Sequence, residues 1–293
     1  MGILSSEQIS FQVKRQSGGA VIGIPRLPPD VDLSRPSAAR IYDYMLGGSN
    51  NFPVDREAAA KLADVVPEFH EIAWANRGFH SRAARWIASQ GVGQFIDLGS
   101  GLPTVGNTHE VAREVLPAAR VVYVDLDPLV AVCATALRGD EAATFIQADL
   151  REPASLLEHP GLRRLIDFGH PVGLAMTAVM PFVADGSDPW GLVSRYLEPL
   201  APGSYLALSH ATGERIPPVA AQRWRDVYAD APVELHLRSR AAIRRFFSGL
   251  DLVPPYQGAE PEVTHLGLWG CEDPRLADSD GSRWGYCGVA RKP

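Results

Sequence analysis

No apolar run in this chain approaches the roughly 20 residues that a membrane-spanning helix needs, so no membrane span is expected. The segment Met1 to Phe11 lacks a basic stretch followed by a long apolar core, so no secretory leader is expected either. Cysteine is scarce. Cys133, Cys271 and Cys287 are far apart and odd in number, with neither C-x-x-C spacing nor a disulfide framework. A reduced, cytoplasmic setting is the simplest expectation, with Cys133 a small core residue. Positive charge is in deficit: 28 Lys+Arg face 34 Asp+Glu, and no basic stripe appears. That disfavours nucleic acid as a partner. The eight histidines show no metal-ligand spacing, so no catalytic metal is expected. Nor is there a G-x-S-x-G or Cys/His nucleophile arrangement.

What is present is a chain of 293 residues, 46% hydrophobic and 21% charged, which suits a soluble globular protein. Gln94-Phe95-Ile96-Asp97-Leu98-Gly99-Ser100-Gly101-Leu102-Pro103 is its most informative stretch. An apolar run ends in an acid and enters a two-glycine turn. Val121 to Pro128 follows as a second apolar run ending in the acids Asp125 and Asp127. Together they predict the first two strands of a nucleotide-binding sheet. The glycines let backbone approach a ligand, and an acid ending the second strand can hold ribose hydroxyls. The D-x-G-x-G turn lacks the third glycine of the dinucleotide fingerprint, which favours an S-adenosyl cofactor over a nicotinamide one.

Residues 1–33 read as a loose arm, broken by Gly18-Gly19, Pro25 and Pro28-Pro29. Residues 34–90 read as a helical region. Its first helix opens at Ser34-Arg35-Pro36, repeats Ile41, Tyr44 and Met45, and stops at Gly47-Gly48. Further helices are expected over 55–65 and 67–89. From 91 to 293 the signals alternate. Strands are predicted at 94–98, 120–125, 144–147, 171–178 and 203–209, with helices at 106–116, 128–138, 153–166 and 188–200. That order specifies an α/β fold with a doubly wound, mostly parallel sheet. Helices at 217–229 and 239–249 follow, then short strands at 250–253 and 265–269 and a last strand at 284–290.

In such sheets ligands sit beyond the carboxyl ends of the strands. Three successive strands there deliver Asp97, Asp125 with Asp127, and Asp149, a set that a hydroxyl-rich, positively charged ligand would account for. Each has a plainer alternative. Asp125 or Asp127 can cap the next helix, and Asp149 can be a turn residue.

At this point a resemblance emerges. The turns look like those of class I S-adenosylmethionine-dependent methyltransferases with a Rossmann-like sheet. More narrowly, the chain resembles an actinobacterial S-adenosyl methyltransferase family designated DUF574. The stretches that carry the likeness are Arg35 to Gly48 (RPSAARIYDYMLGG), Ala75 to Phe79, Gln94 to Pro103, His109 to Ala112, Arg120 to Pro128, Gln147 to Arg151, Ala201 to Leu206 and Ser209-His210. The resemblance spans about residue 32 to the C-terminus.

It implies that Gly99, Ser100 and Gly101 line the methionine part of S-adenosyl-L-methionine and that Asp125, beside Leu126, holds the ribose. Asp149 and Leu150 would meet the adenine edge, and Ala178 to Met180 would flank the transfer site. Tyr42, Gly47, Gly48 and Arg77 belong to segments expected to fold over the cofactor as a lid; for the helix carrying Tyr42 the alternative is plain packing with a glycine cap. Arg77 can grip a carboxylate in bidentate fashion. Two departures stand out: Ser49-Asn50 where the family usually has Lys-Asp, and Met180-Pro181-Phe182 where a histidine is common.

Methyl transfer needs a base only when the nucleophile must lose a proton. His210, just after the fifth strand, is the candidate, with a hydrogen-bonded structural role as its alternative. Aromatic residues outside the strands, such as Phe182, Trp224, Tyr228 and Trp284, are divided between core and an apolar pocket for a small-molecule acceptor, of which a secondary metabolite is one kind. The competing expectation is a cofactor-binding protein on the same fold that is regulatory or runs a cyclisation or elimination. Oligomeric state is not legible.

Overall fold

The computed structural model describes residues 31–214, 216–229 and 231–293. Most of the expected arm, residues 1–30, therefore lies outside the described residues.

The sheet is built from β1 (Gln94–Leu98), β2 (Arg120–Asp125), β3 (Ala143–Gln147), β4 (Gly173–Thr177), β5 (Tyr205–Ala211), β6 (Asp251–Leu252), β7 (Thr264–His265) and β8 (Gly285–Arg291). Its order is β3-β2-β1-β4-β5-β8-β6, with β7 also on β8. Strands β1 to β5 pair in parallel, and β8 runs antiparallel to β5 and β6. Every residue of β1 is buried, as a parallel strand covered on both faces requires. The order reverses between β1 and β4, and the crevice at such a reversal is where ligands bind.

Before β1 come α1 (Ala38–Met45), α2 (Pro53–Ala63) and α3 (Phe69–Ser89). Between the strands lie α4 (Thr108–Arg113), α5 (Pro128–Cys133), α6 (Pro153–Leu157), α7 (Pro160–Leu165) and α8 (Pro189–Leu197). Then follow α9 (Pro218–Ala229), α10 (Arg240–Arg244) and the short α11 (Pro274–Ala277). The single helix expected over 153–166 is two. Pro160 removes an N–H and opens α7, whose first turn is capped by His159 Nδ1, 3.1 Å from the Gly161 N–H. The strand expected over 265–269 shrinks to Thr264–His265, and the chain then turns through Leu268 and Gly270.

The helices ahead of β1 are tied in at two places. The first half of α3 (Phe69, Ile72, Ala73) joins Ile41, Leu62, Trp224, Tyr228 and Trp284 in one buried cluster that also holds α9. Its second half (Phe79, Ala83, Ile87) packs on Phe95 and Val121 of the sheet. A buried ion pair fixes α1 to α2: Arg40 Nε donates to Asp55 at 2.8 Å, with both side chains almost fully enclosed. Asp55 also accepts from the Ser37 and Phe52 N–H groups, so its charge is met on several sides.

Candidate functional site

A cavity of about 410 Å³ lies over the strand ends at the β1/β4 reversal, roofed by residues 31–45. Its walls divide along the sheet order.

On the β1–β3 side, Gly99 (φ +68°) and Gly101 (φ +64°) adopt left-handed conformations that side chains disfavour. A Cβ on Gly99 would stand 2.1 Å from the Val179 side chain, whereas one on Gly101 would meet nothing within 4 Å. The Gly101 N–H donates to Asp125 Oδ2 at 2.8 Å, and the Asp127 N–H donates to Asp125 Oδ1 at 3.0 Å. Each carboxylate oxygen thus keeps acceptor capacity on the cavity that Asp125 lines. Burial raises the Asp125 pKa, against the pull of these N–H groups. Asp127 is differently employed. It caps α5 by accepting from the Leu129 N–H at 2.8 Å, and it receives the Ser37 hydroxyl from the roof at 2.6 Å. Of the two acids that the sequence left open, Asp127 is therefore the cap. Leu126, between them, is exposed and lines the cavity. Asp149 lines it too, held by a bidentate contact from Arg151 that lowers its pKa, with Leu150 beside it.

Ala178, after β4, has φ +56°, an uncommon conformation for a residue with a Cβ. It is held by Ser209: the Ala178 N–H donates to Ser209 Oγ at 2.9 Å. Ser209 Oγ donates to Asn76 Oδ1, Asn76 Nδ2 donates to the Tyr42 hydroxyl, and that hydroxyl donates to the Ala73 carbonyl. A chain of hydrogen bonds thus joins the strained strand end to α3 and α1. Arg77 lines the cavity and donates through Nε to the Val105 carbonyl and through Nη2 to Thr104 Oγ1, both at 2.8 Å. No acid pairs with it among the described residues.

Several expected site residues stand elsewhere. Asp97 does not line the cavity: it is buried, accepts from Thr108 Oγ1 at 2.5 Å, and burial pushes its pKa up to about 6. Gly47 and Gly48 do not line it either. They form the turn after α1, with Gly48 packed on the Asp43 carboxylate. His210 lies at the cavity edge but offers no free nitrogen. Its Nδ1 is 2.7 Å from the Ala211 carbonyl, to which it donates, and Nε2 accepts from Arg238 Nη1 at 2.7 Å. Burial pushes its pKa down to about 3, so it is a neutral imidazole locked in one tautomer, which fits its structural alternative and not a base.

Three contributions were not legible in the sequence: the latch that Ser37 makes, the link between Asn76 and Ser209, and the role of Arg238. Arg238 donates to the Met180 and Val183 carbonyls and to Asp185, and so holds the segment after β4. All three depend on contacts between residues distant in the chain. Ser37 stands at the N-cap position of α1, as a serine ahead of an alanine-rich helix suggests, but its side chain makes no capping bond and reaches Asp127 instead.

Away from β1–β3 the walls change character. Met45, Ile72, Phe182, Trp224, Tyr228, Leu235 and Trp284 line the cavity there. Among the described residues no group of three or more His, Cys, Asp or Glu could hold a metal ion, and no helix is long and apolar enough to cross a membrane.

The sheet order with its antiparallel β8, the glycine turn and the acid ending β2 are those expected, on the resemblance above, of a Rossmann-like methyltransferase with an S-adenosyl cofactor. Comparison with known proteins carries this further. The profile of the S-adenosyl methyltransferase family matches residues 26–293, and the chain belongs to that family. It is 38% identical to a DUF574 family protein from Streptomyces avermitilis MA-4680, whose crystal structure superposes with TM-score 0.82 over 90% of this chain and all (100%) of that one. It is also 38% identical to a candidate methyltransferase from Thermobifida fusca YX, with TM-score 0.81 over 90% of this chain and 98% of that one. No functionally curated protein matches the sequence. The chain is thus an S-adenosylmethionine-dependent methyltransferase. Its residues fit that cofactor: Asp125 presents acceptor capacity for hydroxyls, Gly101 leaves space, and Arg77 is a cation with no acid paired to it among the described residues.

Proposed function

We propose that the cavity places cofactor and acceptor in its two unlike halves and that the acceptor is a small, largely apolar molecule. The observation that carries this is the split of the walls: acids and glycines from the ends of β1 to β3 on one side, aromatic and aliphatic side chains from α1, α3, α9 and the segments flanking β5 and β8 on the other.

In this reading Asp125 holds the ribose hydroxyls, and the backbone of Gly99 to Gly101 lies along the methionine part. Arg77 takes the terminal carboxylate, while Asp149 and Leu150 border the adenine. When bound, the cofactor supplies a methyl group already activated by positive sulfur. The protein's part is to bring the nucleophile to about 3 Å from it in line, and to keep water out. In this reading Ala178 and Val179 stand between the two halves, and Ser209 holds the Ala178 backbone. The roof, latched by Ser37 on Asp127, closes the site from above.

Calorimetric titration with S-adenosylmethionine and, separately, S-adenosylhomocysteine tests the cofactor half. Micromolar binding of both is expected. Absence of binding in folded protein would remove these residues from a cofactor site.

A further inference from the structure

We infer that the acceptor is an acidic aromatic hydroxyl compound, a phenol or enol, taken up as its anion. The inference rests on the reading above that the apolar half receives the acceptor.

The apolar half offers two aromatic pairs. Phe182 and Tyr228 lie with ring centroids 5.2 Å apart, and Trp224 meets Trp284 edge-on at 5.3 Å. Trp224, Tyr228 and Trp284 are buried, while Phe182 is only partly so. Such walls favour a flat ring.

Among the described residues the same half offers no group to take a proton. The acids that line the cavity, Asp125, Asp127 and Asp149, stand at the ends of β2 and β3. Asp32 lines the outer rim, where it is exposed and bound by Ser34. His210 has both nitrogens engaged. The Tyr42 hydroxyl is bonded to Ala73 and Asn76, and burial raises the pKa of both Tyr42 and Tyr228. His236 is not among the lining residues; its Nε2 is 4.0 Å from Glu234. The cations at the cavity are engaged as well: Arg40 pairs with Asp55, Arg151 pairs with Asp149, Arg35 donates to the Ala231 carbonyl, and Arg77 is assigned to the cofactor.

With no proton acceptor among the described residues of this half, the site favours a nucleophile that arrives without its proton. An aliphatic alcohol does not ionise near neutral pH, so it would need a base. An aliphatic amine is protonated there; among the described residues its cation would find no lining carboxylate on this side beyond the exposed Asp32 at the rim, and it would be repelled by a positive sulfur. An acidic aromatic hydroxyl has already lost its proton to solvent. Its anion is attracted to the sulfonium charge in a poorly screened cavity. The acceptor oxygen then forms its bond to the methyl carbon as the C–S bond breaks. The bonding pair stays on sulfur, leaving a neutral thioether and a neutral aryl ether.

The test uses 4-nitrophenol, 7-hydroxycoumarin and 1-naphthol, three flat phenols of decreasing acidity. With S-adenosylmethionine present, S-adenosylhomocysteine formation is followed against pH. The acid limb of kcat/KM is expected to move upward with the acceptor's own pKa. An acid limb fixed at one pH for all three would reveal a base in the enzyme and overturn the inference. So would transfer to 1-naphthylmethylamine with none to the phenols, or no transfer to any phenol. A second readout needs no turnover. The visible spectrum of 4-nitrophenol is titrated in protein loaded with sinefungin, whose ammonium group replaces the sulfonium. The bound dye should ionise about one pH unit below the free dye; an unchanged or raised value contradicts uptake as the anion. Calorimetric binding of S-adenosylmethionine on the same protein separates the two levels. If that binding fails, the site reading falls; if it holds and the phenols fail, only the acceptor class falls.

Discussion

The two halves of the cavity are built from different kinds of sequence. Apart from Arg77 of α3, the cofactor half comes from three consecutive strand ends within about residues 99–151, so its residues are close in the chain and fixed by backbone geometry. The acceptor half is assembled from α1, α3, the segment after β4, α9 and the turn before β8, and its side chains meet only because the whole chain has folded. The first is a set of positioned oxygens and N–H groups; the second is an apolar surface with few polar atoms. A half made of backbone geometry tolerates little change, whereas a half made of packed side chains can be reshaped for a different acceptor.

The largest expected effect lies in the cofactor half. Gly99→Ala places a Cβ against Val179 in a left-handed residue, and a loss of about 2–4 kcal/mol in denaturant unfolding is expected from the two costs together. Gly101→Ala, with equal φ strain and open space, should lose only about 1–2 kcal/mol. Equal losses would show that Val179 yields and that the contact between β1 and β4 turns is loose.

Asp97→Asn sharpens the comparison by showing which acid of this half belongs to the fold. Burial raises the folded pKa of Asp97 to about 6, above the ordinary carboxylate value. Its proton is bound more tightly in the folded state, so its contribution is complete below about pH 4 and is lost as pH rises through about 6. Asparagine can still accept from Thr108 and has no charge to bury. The variant should match the wild type near pH 4 and exceed it by on the order of 2–3 kcal/mol above pH 7. A difference that does not vary with pH would contradict a raised pKa. His80, buried and pushed down to about 3, works in the opposite sense, since its contribution is present above the unfolded value and lost on acidification. Only the difference between variant and wild type isolates Asp97.

In the acceptor half, Phe182→Ala should weaken binding of a flat acceptor by roughly 1–2 kcal/mol through lost apolar contact, read by competition with 4-nitrophenol. The smallest effect is reserved for His210→Gln. Loss of a general base costs about 10²–10⁴-fold. A histidine whose role is to meet Arg238 should cost less than about tenfold when glutamine can take the same bond. A fall of a thousandfold in methyl transfer would restore His210 as a base.

The division between the halves also governs what could be read from sequence. Strands β1 to β5 were legible because buried parallel strands are continuous apolar runs bounded by turns. The glycines and acids at their ends were legible because few residues fit such turns. Which acid faces a ligand was not, since Asp97, Asp125 and Asp127 differ by what reaches them in space: Thr108, the Gly101 N–H, and Ser37 with Leu129. Gly47-Gly48 looked like part of a lid because of the motif it ends, but it serves the turn beside Asp43. The aromatic wall was expected only as a possible use of scattered residues, because nothing in the chain places Trp224 beside Trp284 before α9 and β8 have met.

The most direct test of a divided cavity is to titrate S-adenosylmethionine calorimetrically into the wild type, Asp125→Ala and Phe182→Ala, each shown to be folded. Asp125→Ala should lose about 1.5–3 kcal/mol of binding free energy, the range for hydrogen bonds to a charged group, while Phe182→Ala stays within about 0.5 kcal/mol of the wild type. Equal losses in the two variants, or an unchanged affinity in Asp125→Ala, would contradict the assignment of cofactor and acceptor to separate halves.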